Sequence, residues 1–347
     1  DSQGYLIVAD DQTTVVAGDD ASNTADRGVD TRGEGKTGVI ISGDRTNNAL
    51  SGDSSVSDGA VGIVITGDNT TNTISGQSTV DGATGALISG NGTTTRISGG
   101  IDVTGGGTGM VIDGNETTVA NTGTSNISGQ GSTGSIVNGD NSHVINDGEL
   151  YVADGATGAK ITGDDVLIDN KGDTTASGAG STGLYIDGDN ATINSEGKQD
   201  ISGGATGILI NGNSATFDNI GTTDVNGAGS IGISITGDKT RITNDGELNV
   251  TDGATGAKMT GDGAVIDNTG DSAVTGAGST GLYIAGNKAL VIGEGDQTIA
   301  QGATGTVIAG DNSRIANTGD ITVDGAGSIA AVIDGNDNSL TQAGDML

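Results

Sequence analysis

The chain has 347 residues and carries 45 Asp and Glu against 13 Lys and Arg, a formal net charge of −32. Phosphate backbones are bound by Lys and Arg that release counterions, so this balance excludes nucleic acid as a partner. The 67 Gly, with no Pro, Trp or Cys and one Phe, exclude an ordinary core, disulfides, thiol catalysis and zinc–thiolate sites.

Few aromatics and high charge suit a disordered chain unless the apolar residues keep a pattern. The chain opens with DSQGYLIVADD, which is no signal peptide. No apolar run approaches the ~18 residues of a membrane span, so no membrane-spanning segment is expected. Both ends fall inside the repeat described next, which reads as an excised fragment. Gly4, Asp10 and Gly18 mark a faint first coil. Residues 1–37 then hold on the order of ten residues too many, including Arg27, Arg32 and Lys36, expected as a projecting loop or irregular insertion.

From Gly38 the pattern is regular. The stretch 155-GATGAKITGDDVLIDNKG-172 returns as 253-GATGAKMTGDGAVIDNTG-270, with 13 of 18 positions identical. The glycine of each TG-like pair, here position 0, recurs every 23 to 25 residues from Gly38 to Gly305, with Ala330 in the thirteenth place. Position +5 is Gly thirteen times in thirteen, +6 is always Asp or Asn, and +14 is always Gly. Position +3 is always Ile, Val or Met, and +18 is Val or Ile with the exception of Ala176. Short β-branched runs of period two, punctuated by Gly-Asp and Asn-x-Gly, predict strands and turns.

Three short strands per coil, stacked at a fixed period, predict an all-β right-handed parallel β-helix of about 14 coils. At ~4.8 Å per coil it would form one rod, 1–347, roughly 65 Å long. Position +12 is Leu50, Ile74 and Ile97 in the first three coils. It then becomes Asn121, Asn146, Asn170, Asn219, Asn244, Asn268 and Asn317, while +10 turns apolar from Val119 onward. Inward Asn repeated in register predicts a hydrogen-bonded ladder, with a change of corner between 97 and 121.

Chemistry is sparse. The single His, His143, sits in DNSHVIND at an outward strand place and reads as a surface side chain. A polysaccharide lyase or hydrolase with paired carboxylates needs long unequal loops, and these coils vary by one residue. No catalytic residue, cofactor or metal site is expected. The Asp/Asn column at +6 does not match the nine-residue calcium repeat and reads as turn chemistry.

Position +2 must face outward, yet ten of its thirteen residues are apolar or aromatic. Val111, Ile136, Lys160, Tyr185, Leu209, Lys258, Tyr283 and Val307 are the candidate binding stripe. Lys160 beside Tyr185, and Lys258 beside Tyr283, are spaced for cation–π contacts. An exposed apolar stripe of several hundred Å2 signifies interaction; β-propensity alone is the other reading.

With GATGxxIxGD and NxGxxxV coils, the acidic, cysteine-free chain resembles the passenger region of a Gram-negative autotransporter adhesin of the enterobacterial self-associating type. Secreted haemagglutinin-like exoproteins are a neighbouring family. The autotransporter resemblance implies export through the outer membrane and display at the cell surface. Roles in aggregation, biofilm formation or attachment follow, through contact with itself, host or matrix proteins, or glycans. The alternative is a passive spacer stalk holding a distal tip; a polysaccharide-active enzyme ranks third.

Overall fold

The computed structural model describes residues 2–5 and 13–347. The protein is an all-β parallel solenoid of about fourteen turns with three sheets and, among the described residues, no helix. Its Cα packing separates two compact units, Asp1–Gly172 and Asp173–Leu347. No helix among the described residues is long and apolar enough to cross a membrane.

From Thr37 to Asp324 each coil supplies a six-residue long strand, then two four-residue strands. In the second unit one coil runs Thr206–Asn211, Thr216–Asn219 and Thr223–Asn226. Each strand pairs in parallel with its equivalent one coil on, as Leu209 with Ser234, Phe217 with Ile242 and Val225 with Val250. In the first unit the coil Thr108–Asp113, Thr118–Asn121, Ser125–Ser128 stacks the same way. Sequence dictates this because the aliphatic residues at +3 and +18, joined by those at +10 from Val119 onward, cannot be covered within one coil. Stacking covers them: Ile41, Ile65 and Ile88 in the first unit, and Ile186, Ile210 and Ile284 in the second, are all fully buried. Each contributes about 2 kcal/mol of burial.

Two glycine positions have different physical causes. At position 0 the missing side chain leaves room for the coil wall: a Cβ on Gly207 would lie 2.6 Å from Gly232 O and 2.8 Å from Ile201 Cδ1. At +5 the backbone itself requires Gly, since Gly237 has φ 153° and its Cβ would fall 1.9 Å from Gly212 O.

The predicted insertion between Gly18 and Gly38 is absent. Thr14 pairs with Val39, Ser22 with Asn47 and Asp30 with Ser55, each a shift of 25 residues between adjacent coils. Gly18 therefore occupies +5, not +14, and position 0 of that coil is Thr13. Residues Asp30–Arg32, expected in the projecting loop, form an ordinary third strand in which Thr31 is buried. The misreading arose because this coil lacks two marker glycines: Thr13 stands at 0 and Arg27 at +14. Gly4 pairs with Asn23 and so lies at +10 of a preceding coil. Asp10 lies outside the described residues.

Amides line the interior. In the first unit Asn121 Nδ2 donates to Asn146 Oδ1 at 3.0 Å, and Asn146 Nδ2 to Asn170 Oδ1 at 2.8 Å. In the second, Asn219 donates to Asn244 and Asn244 to Asn268, both at 2.7 Å, while Asn317 donates to Gln342 at 2.9 Å. Each Nδ2 also donates to the glycine carbonyl two residues on, as Asn244 to Gly246 O at 2.8 Å. The earlier coils, where +12 is Leu50 and Ile74, carry an amide ladder too, displaced to +10. There Asn23 Nδ2 donates to Asn48 Oδ1 at 2.8 Å and Asn48 Nδ2 to Asn72 Oδ1 at 2.9 Å, with Asn48 fully buried. In the next coil, where +12 is Ile97, +10 is Thr95, which accepts from Asn72 Nδ2 at 3.4 Å. From Asn72 and Ile74 to Val119 and Asn121 the amide and the aliphatic thus exchange places within the strand, with Thr95 and Ile97 between them.

Candidate functional face

The long strands build an outward sheet face in each unit. In the first, Val15, Ile40, Val64, Leu87, Val111, Ile136 and Lys160 are strict register partners, one per coil. In the second the line is Tyr185, Leu209, Ser234, Lys258, Tyr283, Val307 and Val332. These side chains are half-exposed to exposed, whereas their +3 neighbours are buried except in the end coils, where Val16 and Ile333 are half-buried. The register sets Lys258 beside Tyr283, and the Tyr185 hydroxyl accepts from Asn211 Nδ2 at 3.1 Å.

A second outward column runs beside the first and was missed from sequence. Position −1 is Thr in ten of thirteen coils and Val or Ile in the others, so every member is β-branched. Thr84, Thr108, Thr133 and Thr157 are register partners in the first unit, and Thr182, Thr206, Ile231 and Thr255 in the second. The signal was present as the Thr of the very TG pair that marks each coil. The kink at the position-0 glycine turns −1 outward although +1 and +3 face inward. The face is therefore two columns wide, rich in methyl groups, and its only charged members are Lys160 and Lys258.

Charge is concentrated at the corners. At +6 the backbone N–H donates to the side-chain oxygen one coil back: Asp68 to Asp44 Oδ1 at 2.9 Å, Asp164 to Asp140 Oδ1 at 2.9 Å, and Asp262 to Asp238 Oδ1 at 2.8 Å. These carboxylates are turn acceptors. Among the described residues no group of three His, Cys, Asp or Glu is arranged to hold a metal ion.

His143 Nε2 lies 2.7 Å from Asp169 Oδ2, and Arg241 Nη2 lies 2.9 Å from Asp267 Oδ2 in the same places 98 residues later. His143 thus stands in an arginine's ion-pair position.

A shallow groove of about 440 Å3 over the third-strand sheet is lined by Asp200, Ser202, Asp224, Asn226, Asn249 and Thr251. Its two carboxylates are bridged by Lys198, whose Nζ is 2.8 Å from Asp200 and 2.9 Å from Asp224. Burial pushes the Asp224 carboxyl up, but hydrogen bonds from Lys198 and Asn249 outweigh it and hold the group below the usual carboxylate range. The hydrogen bonds that Lys198 donates, to Asp200 first and then to Asp224, raise its ammonium well above the usual lysine range. A carboxylate held ionised by a lysine is unsuited to act as a general acid.

The pH dependence of this cluster follows from those signs. The lowered Asp224 contributes stability that is complete above about pH 4 and lost as pH falls through its folded value. The raised Lys198 contributes below about pH 10.4 and is lost above. Lys198→Ala should therefore lower the urea midpoint relative to wild type between those limits. Paired urea titrations at pH 7 and pH 3 check this, the gap between the two proteins being narrower at pH 3 than at pH 7.

Together these features define a class: a repeat-built β-solenoid whose distinctive chemistry lies on an outward face. No family model matches the chain. A 30-residue stretch is 63% identical to the provisionally named surface-exposed virulence protein BigA of Salmonella typhimurium. That match covers 9% of this chain, and the chain spans only 2% of BigA's length. The TibC-catalysed hyper-glycosylated TibA fragment aligns with 96% of this chain and 100% of its own, at 19% identity and a TM-score of 0.28. The A-module of the Azotobacter vinelandii mannuronan C-5 epimerase AlgE4 aligns with 100% of this chain and 90% of its own, at 12% identity and a TM-score of 0.25. At those scores neither structural likeness carries an argument.

Proposed function

We propose that this chain is a non-catalytic segment of a cell-surface adhesin, a passenger of the self-associating autotransporter type, exported through the outer membrane. It makes contact with other cells, host or matrix along the outer face of its long-strand sheet. The observation that carries the reading is the outward pair of columns: methyl-rich side chains in strict register on a molecule of net charge −32. The outward places flanking +18 are mostly Ser, Asp, Asn and Thr, so the aliphatic choice at +2 is not repeated on that face and favours contact over strand propensity. The short identity with BigA supports placement at a bacterial surface. The carboxylates of Asp200 and Asp224 are held by Lys198, and that pairing speaks against their use as the acid of a glycan-cleaving enzyme.

Charging the face should abolish contact and leave the fold intact. Leu209→Asp with Val111→Asp places a carboxylate in the column of each unit. Wild type should show a sedimentation coefficient that rises with concentration if its partner is a second copy, and the double variant should stay constant. Association that survives both charges would remove the face from the account.

The uniform coils favour a second reading, a spacer displaying a distal tip. It predicts concentration-independent sedimentation together with no binding to matrix proteins or glycans.

A further inference from the structure

We infer that the gap in the second unit's amide ladder at Ser195 is a binding site for one internal water molecule. Ser195 stands where the ladder requires Asn and is the register partner of Asn219. In the unbroken run Asn219 donates to Asn244 at 2.7 Å, and Asn244 Oδ1 is thereby satisfied. Asn219 has no such donor before it: its Oδ1 is buried without a hydrogen-bond partner, the residue being 2% exposed. Gln199, 1% exposed, approaches across the corner and donates Nε2 to Ser195 Oγ at 2.7 Å. Its own Oε1 is left buried without a partner.

One gap therefore brings together two orphaned acceptors and a hydroxyl whose proton is uncommitted. A molecule that fits must donate twice and accept once. Water does this, donating to Asn219 Oδ1 and Gln199 Oε1 and accepting from Ser195 Oγ, about three bonds as buried waters usually make. A cation is disfavoured, because none of these three side chains carries the charge that would neutralise it in an apolar interior. The other ladder break, at Gly293, closes differently. There Gln297 Nε2 donates directly to Asn317 Oδ1 at 3.4 Å, and neither amide is left with an orphaned atom.

The test counts long-lived waters in the full chain by oxygen-17 magnetic relaxation dispersion. Ser195→Asn combined with Gln199→Leu lets the new amide reach Asn219 Oδ1 and removes the second acceptor. The dispersion amplitude should fall by one internal water. Equal amplitude in the two proteins would overturn the inference. Should the variant fail to fold, a wild-type crystal structure at high resolution decides. Density within hydrogen-bond reach of all three side chains supports the site; direct Gln199–Asn219 contact with a dry gap overturns it.

Discussion

Gly237→Ala is expected to lower the stability of the 173–347 unit by about 4 kcal/mol. Two costs combine. The backbone there has φ 153°, a conformation L side chains rarely adopt, and the added Cβ would fall 1.9 Å from Gly212 O in the coil beneath. The obstacle is a backbone atom in a stacked turn, so relief requires separating two coils. Gly131→Ala isolates the first cost: φ is 82° but the nearest atom, Gly106 Cα, is 3.9 Å away. It should lose only about 1 kcal/mol. Urea denaturation of both variants checks the contrast, and equal losses would show that stacking contact is not what glycine provides at +5.

Asn48→Leu is expected to cost about 3 kcal/mol, despite replacing a polar interior residue by an aliphatic of similar size. Asn48 is fully buried, accepts from Asn23 Nδ2, and donates to Thr46 Oγ1 and Asn72 Oδ1. Removing it strands a donor on one side and an acceptor on the other, each costing about 1–3 kcal/mol when buried. An aliphatic is tolerated at +12 of the same coil, where Leu50 already sits. The loss should therefore appear in thermal denaturation of Asn48→Leu, and the triple variant Asn23→Leu, Asn48→Leu, Asn72→Leu should lose much less than three times as much, because it leaves fewer orphaned groups per residue replaced. A triple-variant loss of three times the single loss or more would contradict the ladder account.

How much was legible depended on which columns repeat without exception. The +3, +5 and +18 columns are nearly invariant, and they were enough to specify coil length, strand count and parallel stacking. The first coil was misregistered because Gly18 fits either +5 or +14 once Thr13 and Arg27 replace the glycines that would decide. The ladder at Asn23, Asn48 and Asn72 is not legible in the +12 column, because in those coils the amide stands at +10 and moves to +12 only later. Two compensations were invisible in single columns. Where +12 lacks Asn, at Ser195 and Gly293, position +16 becomes Gln199 and Gln297, reaching the ladder from the opposite side of the corner. That pairing needs a three-dimensional corner to be seen. The outward +2 column was readable from period two, but the Thr column at −1 was not, because the kink at the position-0 glycine breaks that period.

The most direct test of the central claim is an adhesion count on bacteria displaying the chain. A non-aggregating host would carry either the wild-type chain or the Leu209→Asp, Val111→Asp variant. Settling of the culture and attachment to surfaces coated with matrix proteins or glycans are counted for each. The account predicts settling or attachment by wild type and its loss in the variant, with matched urea midpoints for the purified chains. Equal counts from the two strains, or wild-type counts no higher than those of the undecorated host, would contradict it.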